Sequence, residues 1–186
     1  MSKVLILNGS PRKKGNTSYL VEELRKMVQE QGHKVEILAL NDYDIKPCQG
    51  CFWCYKDFPL KCVQDDVMNT LYPKALDSDV LVFASPIYWF TYSAQLKLFV
   101  DRLVALHVKG GHALNGRKFA TIFVYGDSNS ESSGVYTAID SIEHMIRYFR
   151  GDNLGVVHGT GGDKLTVPNN IQLLEELREL AKSISS

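Results

Sequence analysis

The chain has 186 residues, of which 45% are hydrophobic and 23% charged, proportions typical of one globular domain. Its 21 basic residues balance 21 acidic ones, which excludes the strong positive field of a nucleic-acid or anionic-membrane binder. The apolar run near the N-terminus, VLIL, is too short for a signal peptide, and no stretch reaches transmembrane length. These features predict a cytoplasmic protein, where clustered cysteines more often bind a metal or carry out redox chemistry than form disulfides.

Short apolar runs alternate with helical patterns along the sequence. In chain order, the patterns predict a strand at 3–9, a helix at 17–31, a strand at 34–40, a helix from Asp65 or Asp66 to Leu76, a strand at 79–86, a helix through Leu96 and Leu106, a strand at 117–126, a helix at 135–149, a strand at 153–159 and a last helix opened by Pro168. Pro73 lies inside the second helical pattern, so we expect that helix to kink or to end early.

Five strands alternating with five helices predict an α/β fold, with a parallel sheet covered by helices on both faces. Because no repeat, low-complexity tract or linker divides the sequence, we expect residues 1–186 to form a single domain. The longest segment without periodicity is 41–64, which contains the cysteines. Loops of that length in compact domains are usually functional or disordered.

The turn after the first strand, NGSPRKKGNTS (8–18), has the composition of a phosphate-binding turn. Gly9 and Gly15 permit tight backbone turns, and the helix that follows offers free N–H groups to an anion. Arg12 could add a charge-assisted hydrogen bond. The segment is neither a Walker loop nor a G-x-G-x-x-G fingerprint, so an ordinary strand-to-helix turn with a polar cap is the alternative.

Two further strand ends have unusual sequences. SPIYWFTY (85–92) contains four aromatic residues, whose faces could lie against a flat ligand, and Gly126 in VYGDSNSESSG (124–134) permits close backbone approach. Alone, the first could be a core cap or a dimer contact, and the second a solvated loop. Ligands of open parallel sheets bind beyond the carboxyl ends of the strands. Together with the first turn, these loops therefore predict a slot for an aromatic ring with a phosphate tail, which FMN fits.

All four cysteines lie within PCQGCFWCYKDFPLKC (47–62), with the spacing C-x2-C-x2-C-x7-C. The candidate metal ligands are Cys48, Cys51, Cys54 and Cys62. The first three could converge on one cubane cluster from a single loop, and the fourth could complete it from the edge of the next helix. Zinc is an alternative, although its sites more often consist of two separated C-x2-C pairs. Buried or redox-active thiols that hold nothing are the other alternative.

The motifs GSPRKKGNT, SPIYWFTYSAQLKLFVDR and PCQGCFWCYK…KCVQDD resemble the NADPH-dependent FMN reductase family of the flavodoxin-like superfamily, particularly its iron–sulfur flavoprotein branch. The resemblance implies a five-stranded sheet of order 2-1-3-4-5, non-covalent FMN, and a homodimer or homotetramer with flavin sites near subunit interfaces. It implies FMN contacts from Ser10, Arg12, Asn16, Thr17 and Ser18 at the phosphate, from Pro86, Ile87, Tyr88 and Trp89 along the isoalloxazine, and from Tyr125, Gly126 and Asp127 on its other side. Phe90 replaces a residue that is usually small in the family, which leaves the substrate size open.

The preferred functional hypothesis is an FMN-dependent NAD(P)H oxidoreductase. It would pass electrons from the nicotinamide through the flavin to a quinone, a free flavin, a nitro or azo compound, or an Fe–S acceptor. The five histidines match no metal or triad pattern, and the reaction requires no amino-acid nucleophile, so no catalytic side chain is assigned. One alternative is an iron–sulfur flavoprotein that carries electrons for a ferredoxin-like partner. Another is a zinc-structured binding module without redox chemistry. No nucleic-acid or membrane partner is expected.

Overall fold

A parallel sheet forms the centre of the computed structural model, which describes residues 1–185. Its strands are β1 (Lys3–Asn8), β2 (Lys34–Ala39), β3 (Val80–Tyr88), β4 (Lys118–Tyr125) and β5 (Asp152–Thr160). Their order is β2-β1-β3-β4-β5, and each neighbouring pair is parallel. This confirms the predicted flavodoxin-like fold class and strand order. A two-residue strand, Thr91–Tyr92, folds back antiparallel on the end of β3.

The five long helices are α1 (Asn16–Glu30), α2 (Met68–Asp77), α3 (Ala94–Arg102), α4 (Val135–Tyr148) and α5 (Ile171–Ser185), and a four-residue helix, Ser130–Ser133, precedes α4. Alternate residues of a strand point to opposite faces, so the sheet separates two apolar cores. The core beneath α1 and α5 contains the strand residues Val4, Ile6, Val80, Val82, Ala120 and Ile122. The core beneath α2, α3 and α4 contains Leu5, Leu7, Leu81, Phe83, Phe119 and Phe123. Burial of both faces explains the continuous apolar runs of these strands.

Three helix boundaries differ from the sequence expectations. The helix α2 does not end early at Pro73 but continues to Asp77, because Leu71 and Ala75 on either side of the proline are both buried in the core. The predicted helix through Leu106 is α-helical only to Arg102 and continues as a 3₁₀ turn. Pro168 opens a 3₁₀ turn, and α5 begins three residues later. None of the helices described for residues 1–185 is long and apolar enough to cross a membrane.

Candidate functional site

The carboxyl ends of β1, β3 and β4 open into one crevice of about 420 Å³. Its lining includes these residues predicted from the sequence: Ser10, Arg12, Asn16, Thr17, Pro86, Ile87, Tyr88, Gly126 and Asp127. The structure therefore brings the first turn, the aromatic loop and the glycine-containing loop to one place. Three other predicted residues, Ser18, Trp89 and Tyr125, do not line this crevice.

A chain of short polar side chains fixes the shape of the first turn. The Asn8 side chain accepts from the Ser10 amide at 3.0 Å and donates to the Ser18 hydroxyl at 3.1 Å. That hydroxyl in turn donates to the Arg12 carbonyl at 2.9 Å, so Ser18 shapes the turn from behind. Gly15 precedes α1, and no side chain caps this helix. The amides of its first turn are consequently available to an anion in the crevice.

Asn16 connects the first turn to the loop that follows β5. Its Nδ2 donates to the carbonyls of Gly162 and Lys164 at 3.1 and 2.9 Å. Its Oδ1 accepts from the amides of Thr166 and Val167 at 2.9 and 3.1 Å. Because both polar atoms of this buried side chain are occupied, Asn16 contributes to the crevice by holding the loop in place.

The same loop supplies a wall of the crevice that the sequence analysis missed. Gly161, Gly162 and Asp163 line it, and Arg12 Nη2 donates to the Asp163 carbonyl at 2.5 Å. A Cβ on Gly161 would lie 2.6 Å from the Val124 side chain, so only glycine allows this close approach. The sequence signal was present: a Gly-Gly pair directly follows the fifth strand.

The aromatic loop extends beyond the crevice. Trp89 and Phe90 are 91% and 54% exposed, and both have left-handed backbone conformations with φ of 47° and 67°. They line an adjoining depression that shares Tyr88 and Asp127 with the crevice, so the two spaces are continuous. Tyr125, the last residue of β4, is buried, with its hydroxyl 3.5 Å from His158 Nδ1, and burial raises its pKa.

Ser93 joins the aromatic loop to the first turn. Its hydroxyl donates to the Gly9 carbonyl at 2.7 Å and accepts from the Leu96 amide at 3.3 Å, which caps α3. Its own amide donates to the Ser85 hydroxyl at 2.9 Å. These buried bonds fix the relative positions of two crevice walls.

The four cysteines surround a second, smaller cavity. All four line a space of about 60 Å³; Cys48 and Cys51 are exposed, whereas Cys54 and Cys62 are half-buried. Burial raises the pKa of Cys54, and the other three cysteines raise it further. Within residues 1–185, however, no group of three or more potential ligands has the spacing to hold a metal ion. The cysteines thus share one cavity but are not converged on a point.

A buried ion pair lies next to both ends of the cysteine segment, residues 47–62. Arg102, the last residue of α3, donates from Nη1 to Asp66 Oδ2 at 2.6 Å and from Nη2 to Asp66 Oδ1 at 2.9 Å. The two side chains are 1% and 3% exposed. The backbone of Lys46 binds both partners, because its carbonyl accepts from Arg102 at 2.7 Å and its amide donates to Asp66 at 3.2 Å.

This pair sets the charge state of Asp66. Burial acts to raise the pKa of the Asp66 carboxyl, but the hydrogen bonds of Arg102, Lys46 and Met68 outweigh burial and lower it. The sequence pattern predicted a helix that starts at Asp65 or Asp66. Asp66 Oδ1 does accept from the Met68 amide at 3.1 Å, but its main partner, 36 positions along the chain, was missed.

An open parallel sheet of order β2-β1-β3-β4-β5, with a crevice at the carboxyl ends of β1, β3 and β4, places the protein in the flavodoxin-like fold class. Comparison with known families places the chain within that class. Residues 2–156 match the family described as NADPH-dependent FMN reductase. The chain belongs to this family, and it is an oxidoreductase.

Known relatives agree with this assignment. The chain is similar to an iron–sulfur flavoprotein of Methanocaldococcus jannaschii, at 31% identity over 98% of this chain and 95% of the relative. Among solved structures, it resembles an FMN-dependent NADH-azoreductase from Bacillus anthracis in complex with FMN, with a TM-score of 0.74, 15% identity and coverage of 99% of this chain and 100% of that one. It also resembles an NAD(P)H:quinone oxidoreductase from Methanothermobacter marburgensis, with a TM-score of 0.70, 20% identity and coverage of 99% and 97%. At 15% and 20% identity, the similarity to these two solved structures shows a shared fold and nothing more specific.

Proposed function

We propose that the protein is an FMN-dependent NAD(P)H oxidoreductase. FMN, when bound, supplies hydride acceptance from a nicotinamide and electron transfer to a second substrate, such as a quinone, a free flavin, a nitro or azo compound, or an Fe–S acceptor. The observation that carries the proposal is the crevice, which joins an uncapped helix start to an aromatic loop. Its volume of about 420 Å³ is in the range of small-molecule sites. Family membership and the FMN-bound structural neighbour support it.

The phosphate of FMN would bind at the first turn. Thr17 and the first amides of α1 face the crevice, where the positive end of the helix dipole favours an anion. The Ser10 side chain is buried against the turn, and Arg12 lies at the rim, held by Asp163. Asn16 and Ser18 would act through the backbone that they hold.

The ring would lie between the other walls. Pro86, Ile87 and Tyr88 form one wall and Gly126 and Asp127 the other. A Cβ added to Gly126 would meet no atom within 4 Å, so this position leaves the space open to a ligand. Trp89 and Phe90 flank the adjoining depression, where a nicotinamide or acceptor could reach the ring, and Tyr125 supports the wall from within.

We further propose that the four cysteines hold a [4Fe–4S] cluster. Four thiolates are the ligand set that such a cluster needs, and all four cysteines line one cavity. A cluster, when bound, supplies one-electron transfer. Because Cys48 and Cys51 are exposed on a loop while Cys54 and Cys62 pack against the core, the first two can move to complete the ligand set. The similarity to a protein named iron–sulfur flavoprotein supports this assignment.

The proposal includes a homodimer or homotetramer in the cytoplasm. Tyr88, Trp89 and Phe90 form a contiguous exposed aromatic group at the mouth of the crevice, and surfaces of this kind commonly mark interfaces. Light scattering coupled to size-exclusion chromatography tests it. A monomer at all concentrations would contradict this part of the proposal alone.

The test of the main proposal is FMN binding followed by turnover. Protein purified without oxygen is titrated with FMN, and a dissociation constant on the order of 1 μM or lower is expected for a specific cofactor site. NADH and NADPH oxidation is then measured with a quinone and an azo dye, alongside iron and zinc counts. Failure to bind FMN at roughly 100 μM would overturn the oxidoreductase mechanism proposed for this crevice.

The second candidate function is electron carriage with a ferredoxin-like partner. The observation that favours it is the presence of a four-cysteine cavity in the same chain as the crevice. Reduction of the FMN-loaded protein by ferredoxin but not by NADH or NADPH would select this function. Zinc without iron in colourless protein would instead indicate the binding module without redox chemistry.

A further inference from the structure

Arg102, a residue of the wall of the cysteine cavity, has one unpaired donor. The residue is 1% exposed and lines this cavity together with all four cysteines. Its Nη1 and Nη2 are occupied by Asp66 and by the Lys46 carbonyl. Its Nε is buried and has no hydrogen-bond partner anywhere in residues 1–185. A charged side chain that lines this cavity thus has one buried N–H without an acceptor.

Buried donors in folded proteins are almost always paired, and an unpaired donor on a charged group is especially costly. In the described part of the chain, the only other buried side-chain atom without a partner is Thr121 Oγ1, in the interior of β4. Arg102 differs because its surroundings are a cavity lined by cysteines. The missing acceptor of Nε is therefore expected to be something that the cavity holds.

Asp66 fixes the direction of this donor. A guanidinium is planar, so its bidentate contact with one carboxylate determines where the third nitrogen points. The clamp also joins the two ends of the cysteine segment, because Lys46 precedes Cys48 by two positions and Asp66 follows Cys62 by four. The same side chains thus position both the cysteines and the donor.

We propose that Arg102 is the positioning residue of the four-cysteine site, and that its Nε–H donates a hydrogen bond to a sulfur of the cluster held there. This inference rests on the cluster in the proposed function. Hydrogen bonds to cluster sulfurs and nearby positive charge both stabilise the reduced cluster and raise its reduction potential. Arg102 would therefore make the cluster a better acceptor of electrons.

The first test replaces Arg102 by lysine in the FMN-loaded holoprotein with a reconstituted cluster. Lysine keeps the charge beside Asp66 but lacks the Nε donor and the planar fork. Redox titration followed by EPR of the reduced cluster is expected to show at least a tenfold shift in the one-electron equilibrium, about 59 mV towards lower potential. The matched control is Arg117→Lys, because Arg117 binds the Leu76 carbonyl and pairs with Asp79 away from the cavity. The cluster of this control variant should have the wild-type reduction potential.

A double variant removes the donor without leaving a buried charge unpaired. Arg102→Met with Asp66→Leu replaces both partners by apolar side chains, which proteins often tolerate better than loss of one partner. We expect full FMN affinity and a fall in potential at least as large as that of Arg102→Lys. The proposal would be overturned by a folded double variant that has a full iron content and a one-electron equilibrium constant within twofold of the wild-type value.

A third measurement needs no variant. Wild-type protein labelled with ¹⁵N-arginine is expected to show a ¹⁵N coupling in pulsed EPR of the reduced cluster, and its absence would overturn the proposal. Wild-type protein that binds FMN but assembles no iron cluster would also overturn it, while leaving the flavin mechanism intact. Failure of the wild type to bind FMN would instead contradict the proposed function. The reduction potential of the cluster does not test FMN binding, so the two failures can be told apart.

Discussion

The two candidate sites differ in how their walls are held. In the strand-end crevice, buried hydrogen bonds from Asn16 and Ser93 connect segments far apart in sequence. The cysteine segment is clamped at its base by Asp66 and Arg102, but its middle contains four non-glycine residues in left-handed conformations: Phe52, Asp57, Phe58 and Leu60. The first site is preorganised, and we expect the second to reach its final shape only with the proposed cluster bound.

The largest expected effect follows from breaking the preorganised site at Asn16. Asn16→Ala removes four hydrogen bonds to the loop after β5. The free energy of unfolding should fall by about 2–6 kcal/mol, since each of the four bonds contributes roughly 0.5–1.5 kcal/mol. FMN affinity should fall by at least about tenfold, because a wall of the crevice loses its support.

Urea denaturation and FMN titration measure the two effects. The matched control is Asn153→Ala, which removes an exposed bond to the Gly155 amide far from the crevice and should change the unfolding free energy by less than about 0.5 kcal/mol. Unchanged FMN affinity in a folded Asn16→Ala protein would show that the loop after β5 is not a wall of the cofactor site.

A second change separates binding from stability in the crevice. Leucine at Gly126 would project into open space, since an added Cβ there contacts nothing within 4 Å. We expect FMN affinity to fall by about tenfold, or roughly 1.4 kcal/mol, with an unfolding free energy within about 0.5 kcal/mol of wild type. Equal loss of stability and affinity would contradict the open position assigned to Gly126.

Removal of the proposed iron cluster tests whether the cysteine site depends on that cluster for its shape. Chelation, or the variant Cys62→Ser, should increase amide hydrogen exchange within residues 47–62, because local opening is governed by local contacts. Exchange within residues 8–18 should stay the same, and FMN affinity should change by less than about twofold. Hydrogen exchange with mass spectrometry measures both segments in one sample. Equal protection of 47–62 with and without iron would show that this segment is as preorganised as the crevice.

The smallest effect is a pH dependence near the cysteine side of the fold. His112 is 3% exposed, with Nε2 2.9 Å from the Leu103 carbonyl and Nδ1 accepting from the Leu114 amide at 3.1 Å. Burial lowers the pKa of this imidazole, and His107 lowers it further, although the bond to Leu103 acts in the opposite direction. The folded state therefore keeps His112 neutral.

The unfolded chain binds a proton at this histidine near pH 6.5, whereas the folded chain does so only at lower pH. Stability is thus fully present above pH 6.5 and is lost as the pH falls through that value. The free energy of unfolding, measured by denaturation at pH 7 and at pH 5, should be lower at pH 5, and His112 should account for about 1 kcal/mol or less of the difference. His112→Gln should reduce this slope, and substitution of the exposed His144 should not; an equal slope in all three proteins would contradict the assignment.

The sequence contained enough information for the strands but not for the contacts between loops. Each of the five strands lies within two residues of its predicted range, because burial on both faces produces an apolar run that the sequence shows directly. Pro73 does not end α2 early, since Leu71 and Ala75 on either side of it are buried in the core. Pro168 lies in a 3₁₀ turn and does not open the last helix. Residues 124–134 and 85–92 marked two crevice walls through their composition alone.

Pairings between distant residues had no such signal. Asn16 binds partners about 150 positions away, and Arg102 binds Asp66 across 36 positions. Hydrophobic periodicity in a sequence indicates which positions are buried, but it does not indicate which distant residue each buried side chain contacts. The Gly-Gly pair after β5 was the one local sign of the missing wall, since glycine at a strand end permits close approach.

The bonds of Asn16 also order events during synthesis. A ribosome delivers residue 16 early, whereas its acceptors and donors at 162–167 emerge only when almost the whole polypeptide has been made. A nascent chain that stops after β4 would contain the first turn and the aromatic loop, but it would lack the loop after β5 to which Asn16 binds. Cofactor capture is accordingly expected to be a late, post-translational step, and N-terminal fragments should emerge colourless.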